Sequence, residues 1–383
     1  MTLHGRCMIA PLRQELAEWP GARIANAIVR ARPKDVDAAL AREERGLSDL
    51  IAFLSPYARQ RLEAMAREAQ RLTRCHFGRT IQLYAPIYIS NVCAADCPYC
   101  GFGARSGSKL ERVTLAPDQI RRECEALAAQ GFENVLLLTG EAPQVATIEY
   151  IAEAVRIGRE HFSSVSVEVY AMTRDEYQVL FDSGLEGVTL YMETYDPSTY
   201  IRLHTVGRKQ DYDFRLDAIE RAGQAGARRL GLGALLGLFD WRAEGLWMAI
   251  HARYLQKRCW QSAVSISFPR LRHVPDRFAV PAPVSDADLV QLMLALRLVL
   301  PEAGLTLSTR ETAAFRDRLI PLGITMMSAG SSTRPGGYAS CARETTEQFE
   351  IEDCRSPAEV VKAIARAGYD PVWKDFDRAF ATR

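Results

Sequence analysis

Short apolar runs alternate with amphipathic helical segments along the chain from about residue 81 onward. This alternation is typical of repeated strand-helix units around a parallel sheet. The apolar runs that we predict as strands are residues 87–90, 134–139, 165–170, 187–193, 229–235, 264–268, 305–310 and 324–328. Eight strands in strict alternation with helices predict an α/β fold, a (β/α)8 barrel of the TIM type.

The residues outside this alternation lie at the two ends of the chain. Residues 1–80 carry apolar side chains at helical spacing, with a Ser-Pro pair suited to the start of a helix. We therefore predict an N-terminal helical extension at 1–80, a barrel at 81–333 and a C-terminal tail of helix and loop at 334–383 that closes the barrel. Residues 331–353 are rich in Ser, Gly and Thr and are predicted as a lid or binding loop.

The composition is that of an ordinary globular protein. Hydrophobic residues make up 48% and charged residues 25% of the 383 positions, and 48 basic against 47 acidic side chains leave a net charge of +1. This balance gives no reason to expect nucleic acid as a partner. No apolar run approaches the ~20 residues that span a bilayer, so we expect no membrane association. Nine cysteines without a secretory leader indicate reduced thiols and a cytoplasmic protein.

Three of these cysteines, Cys93, Cys97 and Cys100, follow the first predicted strand in the spacing CxxxCxxC. Structural zinc sites use four protein ligands, and no further CxxC or HxxxH pair lies nearby to complete such a set. A 4Fe-4S cluster held by three thiolates fits better, because its fourth iron is then free to bind a substrate or cosubstrate. The alternative is that these are buried structural thiols, which have no reason to recur at ligand spacing.

Acidic side chains lie at the ends of the next three predicted strands, where barrel enzymes keep their chemistry. Glu141 follows the second strand and is suited to bind the ammonium of an amino-acid-like cosubstrate. Glu168 and Tyr170 are expected on one face of the third strand, since alternate residues share a face. A buried carboxylate without a partner is unfavourable, so Glu168 is not predicted to fill the core. Glu193 ends the fourth strand.

Basic and hydroxyl side chains follow the later strands. Arg202 and Arg215 lie in the loop after the fourth strand, and either is geometrically suited to bind a carboxylate. Arg310 ends the seventh strand, where a guanidinium most simply binds a substrate carboxylate in a bidentate fork. Ser328 and Ser331 follow the eighth strand and present hydroxyl groups to an amine, carboxylate or phenol.

The cysteine loop and several other segments resemble known enzymes. The spacing CxxxCxxC with Tyr99 before the last cysteine resembles the radical S-adenosylmethionine (SAM) superfamily. From about residue 80 to the C-terminus the chain resembles one family within it, the tyrosine lyases of thiamine-thiazole biosynthesis, or 2-iminoacetate synthases (ThiH). The segments that carry this resemblance are PIYISNVCAADCPYCGF, LLLTGE, LYMETY, FPRLR, STRE and SAGSSTRPGGYA.

The resemblance implies an enzyme with one 4Fe-4S cluster on Cys93, Cys97 and Cys100 and with SAM as cosubstrate. An external one-electron reductant of the flavodoxin or ferredoxin type would reduce the cluster. The 5'-deoxyadenosyl radical formed from SAM would abstract hydrogen from the amino group of L-tyrosine. The Cα–Cβ bond would then break to give 2-iminoacetate (dehydroglycine) and p-cresol. The fragile imine would pass to the thiazole synthase ThiG as protein partner.

The resemblance also implies roles for the residues at the strand ends. Arg310 would fix the tyrosine carboxylate, while Tyr88, Ser328 and Ser331 would lie near the amine. The residues that would contact SAM are Tyr99, Glu141, Glu168, Tyr170, Glu193 and either Arg202 or Arg215.

Three other interpretations stay open. The tyrosine lyase of hydrogenase maturation shares the barrel but carries a second cluster on a C-terminal CxxC pair. The tail here has only Cys341 and Cys354, which we interpret as incidental thiols. A tryptophan lyase shares the carboxylate-binding arginine. From another class of protein, a non-catalytic iron-sulfur or zinc-binding scaffold would also carry the three cysteines.

Overall fold

Eight parallel strands surround a common axis in this computed structural model, which describes residues 10–103, 111–272, 274–275, 278–339 and 347–374. The strands are β1 (Thr80–Ser90), β2 (Asn134–Thr139), β3 (Ser164–Glu168), β4 (Gly187–Thr189), β5 (Arg229–Gly233), β6 (Ala263–Ser267), β7 (Gly304–Leu307) and β8 (Met326–Ser328). Neighbouring strands follow the chain order from β2 to β8, and β1 pairs with both β8 and β2. This closed ring confirms the predicted (β/α)8 barrel.

Helices precede the barrel, separate its strands and follow it. They are α1 (Leu12–Ala17), α2 (Gly21–Arg30), α3 (Pro33–Ala41), α4 (Leu47–Leu54), α5 (Leu62–Phe77), α6 (Pro117–Ala128), α7 (Ile148–His161), α8 (Arg174–Asp182), α9 (Pro197–Leu203), α10 (Tyr212–Leu216), α11 (Ala218–Gln224), α12 (Trp241–Arg258), α13 (Asp286–Val299), α14 (Ala313–Leu319) and α15 (Pro357–Arg366). Each connection between consecutive strands contains at least one helix. No helix in the described ranges is long and apolar enough to cross a bilayer.

Most helix starts follow the expected capping chemistry. The hydroxyl of Ser285 accepts a hydrogen bond from the backbone N–H of Asp288, whose carboxylate accepts from the N–H of Ser285. Ser356 and Glu359 form the same reciprocal pair at the start of α15. The Ser-Pro pair in the extension instead opens a 3-10 turn, Pro56–Arg61, and the α-helix begins only after it.

The third and fourth strands end earlier than the alternation pattern predicted. β3 ends at Glu168 rather than at Tyr170, and β4 ends at Thr189 rather than at Glu193. β5 and β7 also end early, at Gly233 and Leu307, so Arg310 lies three residues beyond its strand rather than at the end of it. Beyond Thr189 the contact between β4 and β5 continues as separate backbone hydrogen bonds and an isolated bridge from Glu193 to Ala234. The end residues therefore lie on the rim of the barrel, where the chain turns into the βα loops.

The N-terminal helices lie against one side of the barrel. α4 and α5 pack on α13, while α1 and α2 pack on α12. The Gln291 amide donates to the carbonyls of Phe53 and Ser55, and the Trp247 indole N–H donates to the Trp19 carbonyl. The extension is thus attached by apolar faces and by hydrogen bonds to its backbone.

A short strand that the sequence did not predict, β9 (Asp370–Val372), pairs with the beginning of β1. β1 accordingly starts at Thr80, earlier than the predicted residue 87. The ring of Trp373 packs edge-to-face on that of Phe132, with centroids 5.1 Å apart. Residues 370–373 of the tail are therefore attached at the end of the barrel opposite to the strand carboxyl ends.

Candidate active site

An open cavity lies at the carboxyl ends of the barrel strands. Its empty space is about 1150 Å³ with the open solvent at its mouth included, and aromatic, charged and hydroxyl side chains line it. The residues predicted from the sequence that line it are Tyr88, Tyr99, Cys100, Glu168, Glu193, Arg310, Ser328 and Ser331. The structure therefore gathers these side chains around one space.

The cysteine loop leaves the end of β1 and is closed by two polar side chains. The Asn91 amide bonds to the backbone of the returning chain at Glu111 and Val113. The Arg112 guanidinium donates to backbone carbonyls at both ends of the loop, those of Asn91, Phe102 and Gly103. These bonds hold the three cysteines on one loop of fixed shape.

Backbone N–H groups point at two of the three sulfurs. The N–H of Glu141 donates to Cys93 Sγ and the N–H of Phe102 donates to Cys100 Sγ, each at 3.4 Å. Such bonds favour the thiolate, which is the form that binds iron. Burial raises the pKa of Cys97 to about 12 and also raises the pKa of Cys100. A positively charged partner is therefore needed to keep these sulfurs ionised.

The end of β2 approaches the cysteine loop closely because residue 140 is glycine. A Cβ at Gly140 would lie 2.2 Å from the Val92 carbonyl oxygen and 2.9 Å from Cys93 Cβ. The Glu141 carbonyl accepts from the Ala94 N–H at 2.8 Å, which joins the two loops. Within the described residues, no three His, Cys, Asp or Glu side chains converge on a single metal ion. Three thiols on one fixed loop fit an iron-sulfur cluster, whose cysteines bind separate irons.

Two carboxylates and two cations form a charged quartet beside the cysteine loop: Glu141, Glu193, Lys209 and Arg215. Lys209 Nζ lies 2.7 Å from the Glu193 carboxylate, and the Arg215 guanidinium lies 3.6 Å from the carboxylates of both Glu193 and Glu141. Arg215 Nε also donates to the Tyr191 carbonyl at 2.8 Å. Glu141 Oε1 is buried and has no hydrogen-bond partner among the described residues. This oxygen fits the ammonium of an amino-acid cosubstrate.

The quartet keeps its charges although it is buried. Burial alone would raise the pKa of Glu193, but Lys209 and Arg215 hold it at about 2. Burial would also lower the pKa of Lys209, yet that pKa is raised because Cys97 and Glu193 stabilise the ammonium. The four charges therefore compensate one another at neutral pH.

A buried histidine orients Tyr99 at the edge of the cavity. The Tyr99 hydroxyl lies 2.7 Å from His204 Nε2, and His204 Nδ1 lies 2.9 Å from the Tyr200 carbonyl. Burial lowers the pKa of His204 to about 3, so the ring is neutral. Nδ1 then donates to the carbonyl and Nε2 accepts from the Tyr99 hydroxyl.

Arg310 lies on the β7 side of the cavity and has no ion-pair partner among the described residues. Its guanidinium stacks on the ring of Phe349, 3.4 Å from the centroid. Burial lowers its pKa, while Tyr88, Cys100 and two carboxylates act in the opposite direction. A guanidinium that points into a cavity and has no carboxylate of the described residues within ion-pair distance fits the carboxylate of a substrate.

Glu168 projects from the end of β3 into the same cavity. Burial, followed by the neighbouring Glu193, raises its pKa to about 7 against the effect of Arg310 and Arg215. Near neutral pH the carboxyl group is therefore divided between protonated and ionised forms. A group of this kind can hold or transfer a proton beside a substrate.

Residues 347–349, here called the mouth strap, cross the cavity from the C-terminal part of the chain. The Gln348 carbonyl accepts from the Gly101 N–H at 3.1 Å, and the Gln348 side chain accepts from the Tyr88 hydroxyl at 2.5 Å. A Cβ at Gly101 would lie 2.5 Å from the strap backbone. The last residue of the strap covers Arg310, so the strap joins the cysteine loop to that arginine.

The two serines after β8 have different surroundings. Ser328 Oγ accepts from the Thr309 N–H at 3.1 Å, which ties the end of β8 to that of β7. Ser331 Oγ is buried at the cavity edge and has no partner in the described part of the chain. Ser331 is therefore the better placed of the two to bind a ligand.

Four of the residues predicted to bind the cofactor do not line the cavity. Glu141 and Arg215 lie beside it in the charged quartet, while Tyr170 and Arg202 lie apart from both. Tyr170 is buried in the main core, and its hydroxyl donates to the Ala146 carbonyl at 2.7 Å. Alternation no longer applies there, because β3 has already ended at Glu168. Arg202 is exposed on α9. Of the two predicted cations it is Arg215 that joins the quartet.

The FPRLR and STRE segments meet in a buried ion pair. The Arg270 guanidinium donates to both carboxylate oxygens of Glu311, at 2.7 and 2.6 Å. Arg272 reaches the same carboxylate from the rim at 3.1 Å. This pair fixes the end of β7 beside that of β6 and so sets the position of the adjacent Arg310.

Several lining residues were not among the predicted site residues. Tyr191 lies two positions before Glu193, and the alternation within LYMETY carried that signal. In the sequence, no pattern distinguishes Lys209 from the other basic residues in the loop after the fourth strand. Gln348 lies 260 positions from its partner Tyr88, and no local pattern marks it.

Comparison with known proteins gives consistent matches along the barrel and the tail. The Radical SAM superfamily matches residues 87–249, and the Biotin and Thiamin Synthesis associated domain matches residues 267–370. The 2-iminoacetate synthase of Escherichia coli (strain K12) is 45% identical over 344 residues, which cover 90% of this chain and 90% of that protein. The 2-iminoacetate synthase of Salmonella typhimurium is 44% identical over 91% of this chain and 93% of that protein.

Solved structures also match. The FeFe-hydrogenase maturase HydG from Carboxydothermus hydrogenoformans superposes with a TM-score of 0.81 and 30% identity, over 95% of this chain and 81% of that chain. Methylornithine synthase (PylB) superposes with a TM-score of 0.70 at 22% identity, over 88% of this chain and 97% of that chain. The latter likeness supports the fold alone.

The closed barrel with a three-cysteine loop at its mouth is that of a radical SAM enzyme, and membership of this superfamily implies a 4Fe-4S cluster and SAM. The sequence identity over nine-tenths of the chain identifies the family within this superfamily. The chain belongs to the 2-iminoacetate synthase family.

Proposed function

We propose that this chain is a lyase that breaks the Cα–Cβ bond of L-tyrosine to form 2-iminoacetate (dehydroglycine) and p-cresol. The imine would supply part of the thiazole ring in thiamine biosynthesis. The observation that carries the proposal is the cavity, which brings Arg310, with no ion-pair partner among the described residues, into one space with Cys100 of the cysteine loop. Relatives at 44% and 45% identity, both 2-iminoacetate synthases, support the same reaction.

On the β7 side of the cavity the chain's own residues bind and orient the amino acid. Arg310 binds the tyrosine carboxylate in a bidentate fork. Tyr88 and Ser331 border the space where the amine would lie, and Glu168, with a pKa of about 7, holds or accepts a proton there. Fixed contacts of this kind present the amino N–H rather than a Cβ–H to the reacting species.

On the cysteine side the chain holds the cofactors. Cys93, Cys97 and Cys100 would bind the cluster, and the unpaired oxygen of Glu141 would bind the amine of SAM. When bound, the reduced cluster and SAM supply the 5'-deoxyadenosyl radical that abstracts hydrogen. The charged quartet keeps this side in place, and the mouth strap shields the cavity from water.

We further propose one cluster, reduced by an external flavodoxin or ferredoxin. The cysteines that follow the loop in the sequence are Cys124, Cys259, Cys341 and Cys354, without a CxxC pair. Cys341 lies outside the described residues, and Cys354 is an exposed free thiol. The spacing supports incidental thiols rather than ligands of a second cluster.

The product and the cofactors suggest a partner and a compartment. An imine hydrolyses readily, so direct transfer to a thiazole synthase of the ThiG type would protect it. Free thiols and an iron-sulfur cluster favour the reducing cytoplasm. The division into an extension at 1–80, a barrel at 81–333 and a tail at 334–383 fits this role, because the barrel and the tail carry the cavity.

The test is product analysis without oxygen. The reconstituted protein is incubated with SAM, dithionite and tyrosine, and p-cresol, glyoxylate from hydrolysed imine and 5'-deoxyadenosine are measured by mass spectrometry. We expect p-cresol and 5'-deoxyadenosine in equal amounts. Tryptophan in place of tyrosine is the matched control.

Two outcomes would contradict the proposal. An indolic acid or skatole from tryptophan, without p-cresol from tyrosine, would indicate a tryptophan lyase. Iron-containing protein that forms no 5'-deoxyadenosine would indicate a non-catalytic scaffold.

A further inference from the structure

Glu193 of the charged quartet has a backbone conformation that residues with a side chain rarely adopt. Its φ is 66°, and no other residue besides glycine has a positive φ in the described ranges. Its carboxylate contacts both cations of the quartet, Lys209 at 2.7 Å and Arg215 at 3.6 Å. A strained backbone of this kind persists only where its neighbours hold it.

Hydrogen bonds to the β5 side hold the chain up to Glu193. The N–H of Met192 donates to the Gly233 carbonyl at 3.0 Å, and the Glu193 carbonyl accepts from the N–H of Leu235 at 2.8 Å. These bonds continue the pairing of β4 with β5. They do not determine the direction that the chain takes after residue 193.

A buried carboxyl group, Glu244, holds the two residues that follow. It lies in the first turn of α12 and accepts hydrogen bonds from the Thr194 hydroxyl and, at 3.0 Å, from the Tyr195 backbone N–H. The Tyr195 hydroxyl lies 2.8 Å from Nδ1 of His251, two turns further along the same helix. Helix α12 therefore holds Tyr195 by both its backbone and its side chain.

A carboxyl group is an unfavourable choice for simple packing at this position. The Glu244 side chain is fully buried and forms no ion pair with any residue that the structure describes, and burial raises its pKa to about 8. An apolar side chain would fill the same space without this penalty. What a carboxyl group adds is two oxygens that meet two donors on consecutive residues.

We propose that Glu244 is a positioning residue for the cosubstrate side of the cavity. By fixing the two residues after Glu193, it keeps Glu193 in the left-handed conformation, with its carboxylate beside Lys209 and Arg215. The inference rests on the proposed function in taking SAM as the ligand of this side. It does not depend on which amino acid is cleaved.

Glu244→Gln tests the proposal when SAM binding is measured at about pH 9, above the Glu244 pKa of about 8, where both carboxylate oxygens accept hydrogen bonds. The substitution keeps the size of the side chain but replaces one acceptor oxygen by an NH2 group. In the reconstituted holoenzyme we expect SAM affinity to fall on the order of tenfold, as for other residues that support metal sites from outside, with iron content unchanged. SAM binding is followed through the EPR signal of the reduced cluster without tyrosine. Amide hydrogen exchange across residues 190–196 should become faster.

Two further variants separate positioning from stability. Thr194→Val removes one of the two hydrogen bonds to Glu244, together with the one that the Thr194 hydroxyl accepts from the Asp196 N–H, and should lower SAM affinity in the same direction. Arg242→Ala, in the same turn of α12, removes a hydrogen bond to the Leu54 carbonyl of the extension. It should lower the melting temperature and leave SAM affinity unchanged.

A double variant provides the sharpest discrimination. In a Glu193→Gly background the left-handed conformation needs no support, so adding Glu244→Gln should not reduce SAM affinity further. Unchanged SAM affinity in Glu244→Gln, with only a lower melting temperature, would overturn the proposal, as would additive losses in the double variant. If Glu244→Gln does not fold, unchanged affinity in Thr194→Val overturns it. Failure of the proposed function would appear differently, as SAM binding without tyrosine cleavage in the unsubstituted enzyme.

Discussion

The cavity has a cosubstrate side next to the cysteine loop and a substrate side around Arg310. Charges are compensated within the chain on the first side but not on the second. On the cosubstrate side, the two carboxylates and two cations of the quartet compensate one another. On the substrate side, Arg310 has no carboxylate within ion-pair distance among the described residues and is covered by the Phe349 ring. The first arrangement is compensated without a ligand. The second leaves a guanidinium whose charge a bound anion would compensate.

A neighbouring arginine shows that the fold does not force this state on Arg310. Arg316 on α14 is fully buried, pairs with Asp353 and donates to the Ser328 carbonyl. The charge of Arg316 is thus compensated within the chain, whereas that of Arg310 is not. This difference separates the two arginines.

The largest expected effect comes from removing a cluster ligand, which would disable both sides together. For Cys93→Ala, Cys97→Ala or Cys100→Ala we expect no intact cluster and no detectable 5'-deoxyadenosine, because two thiolates cannot hold the cluster in place. Iron content, absorbance and chromatography measure these losses. Cys124→Ala, at a buried thiol of α6, is the control and should retain the cluster. Full iron content in any of the three loop variants would contradict the ligand assignment.

Arg310→Ala should disable the substrate side alone. We expect kcat/KM for tyrosine to fall about 100-fold or more, since losing one partner of a charged hydrogen-bonded pair costs ~3 kcal/mol, with cluster content and SAM affinity unchanged. Arg310→Lys keeps the charge without the fork and should recover only part of the activity. Arg318→Ala, exposed on α14, is the control. If Arg310→Ala turns over tyrosine as fast as the unsubstituted enzyme, Arg310 does not bind the substrate carboxylate.

Glu168 should make the stability of the ligand-free protein fall as the pH rises. Burial, with Glu193, raises its pKa from 4.5 to about 7, so the folded protein holds this proton more tightly than the unfolded chain. The stabilisation is full below pH 4.5 and is lost as the pH rises through about 7. Relative to Glu168→Gln, the free energy of unfolding should fall by on the order of 3 kcal/mol across this window. Urea unfolding at several pH values measures it, and parallel pH dependences of the two proteins would refute it.

The smallest effect should come from Gly101→Ala, which weakens the link between the two sides. The new Cβ would lie 2.5 Å from the Glu347 carbonyl oxygen and so displace the mouth strap. We expect a severalfold higher KM for tyrosine, because the strap covers Arg310, and an unchanged affinity for SAM. Gly46→Ala, where no atom lies within 4 Å of the added Cβ, is the control. A change in SAM affinity with an unchanged KM for tyrosine would contradict this expectation and indicate that the strap supports SAM binding instead.

The barrel and much of the mouth could be predicted from local pattern. Alternating apolar runs located the strands, and their end positions indicated Glu168, Glu193 and Arg310, because parallel strands end at one edge. Alternation along the third strand misplaced Tyr170, because alternation holds only as far as the strand continues. The sequence also left Arg202 and Arg215 undecided, because the choice depends on how the loop after β4 folds.

Contacts between distant positions could not be predicted in this way. The hydrogen bond from Tyr88 to Gln348 spans 260 positions, and that from Thr194 to Glu244 spans 50. In the sequence, Glu244 is an acidic residue in the first turn of a helix, where such residues are common because they interact well with the helix dipole. Only the tertiary structure shows that its partners lie on another loop.

The mouth strap follows all eight barrel strands in the chain, so the cover over Arg310 and the wall that carries the charged groups are separate parts of the sequence. Substitutions in residues 347–349 can therefore change the entrance to the cavity without changing the strands that form its wall.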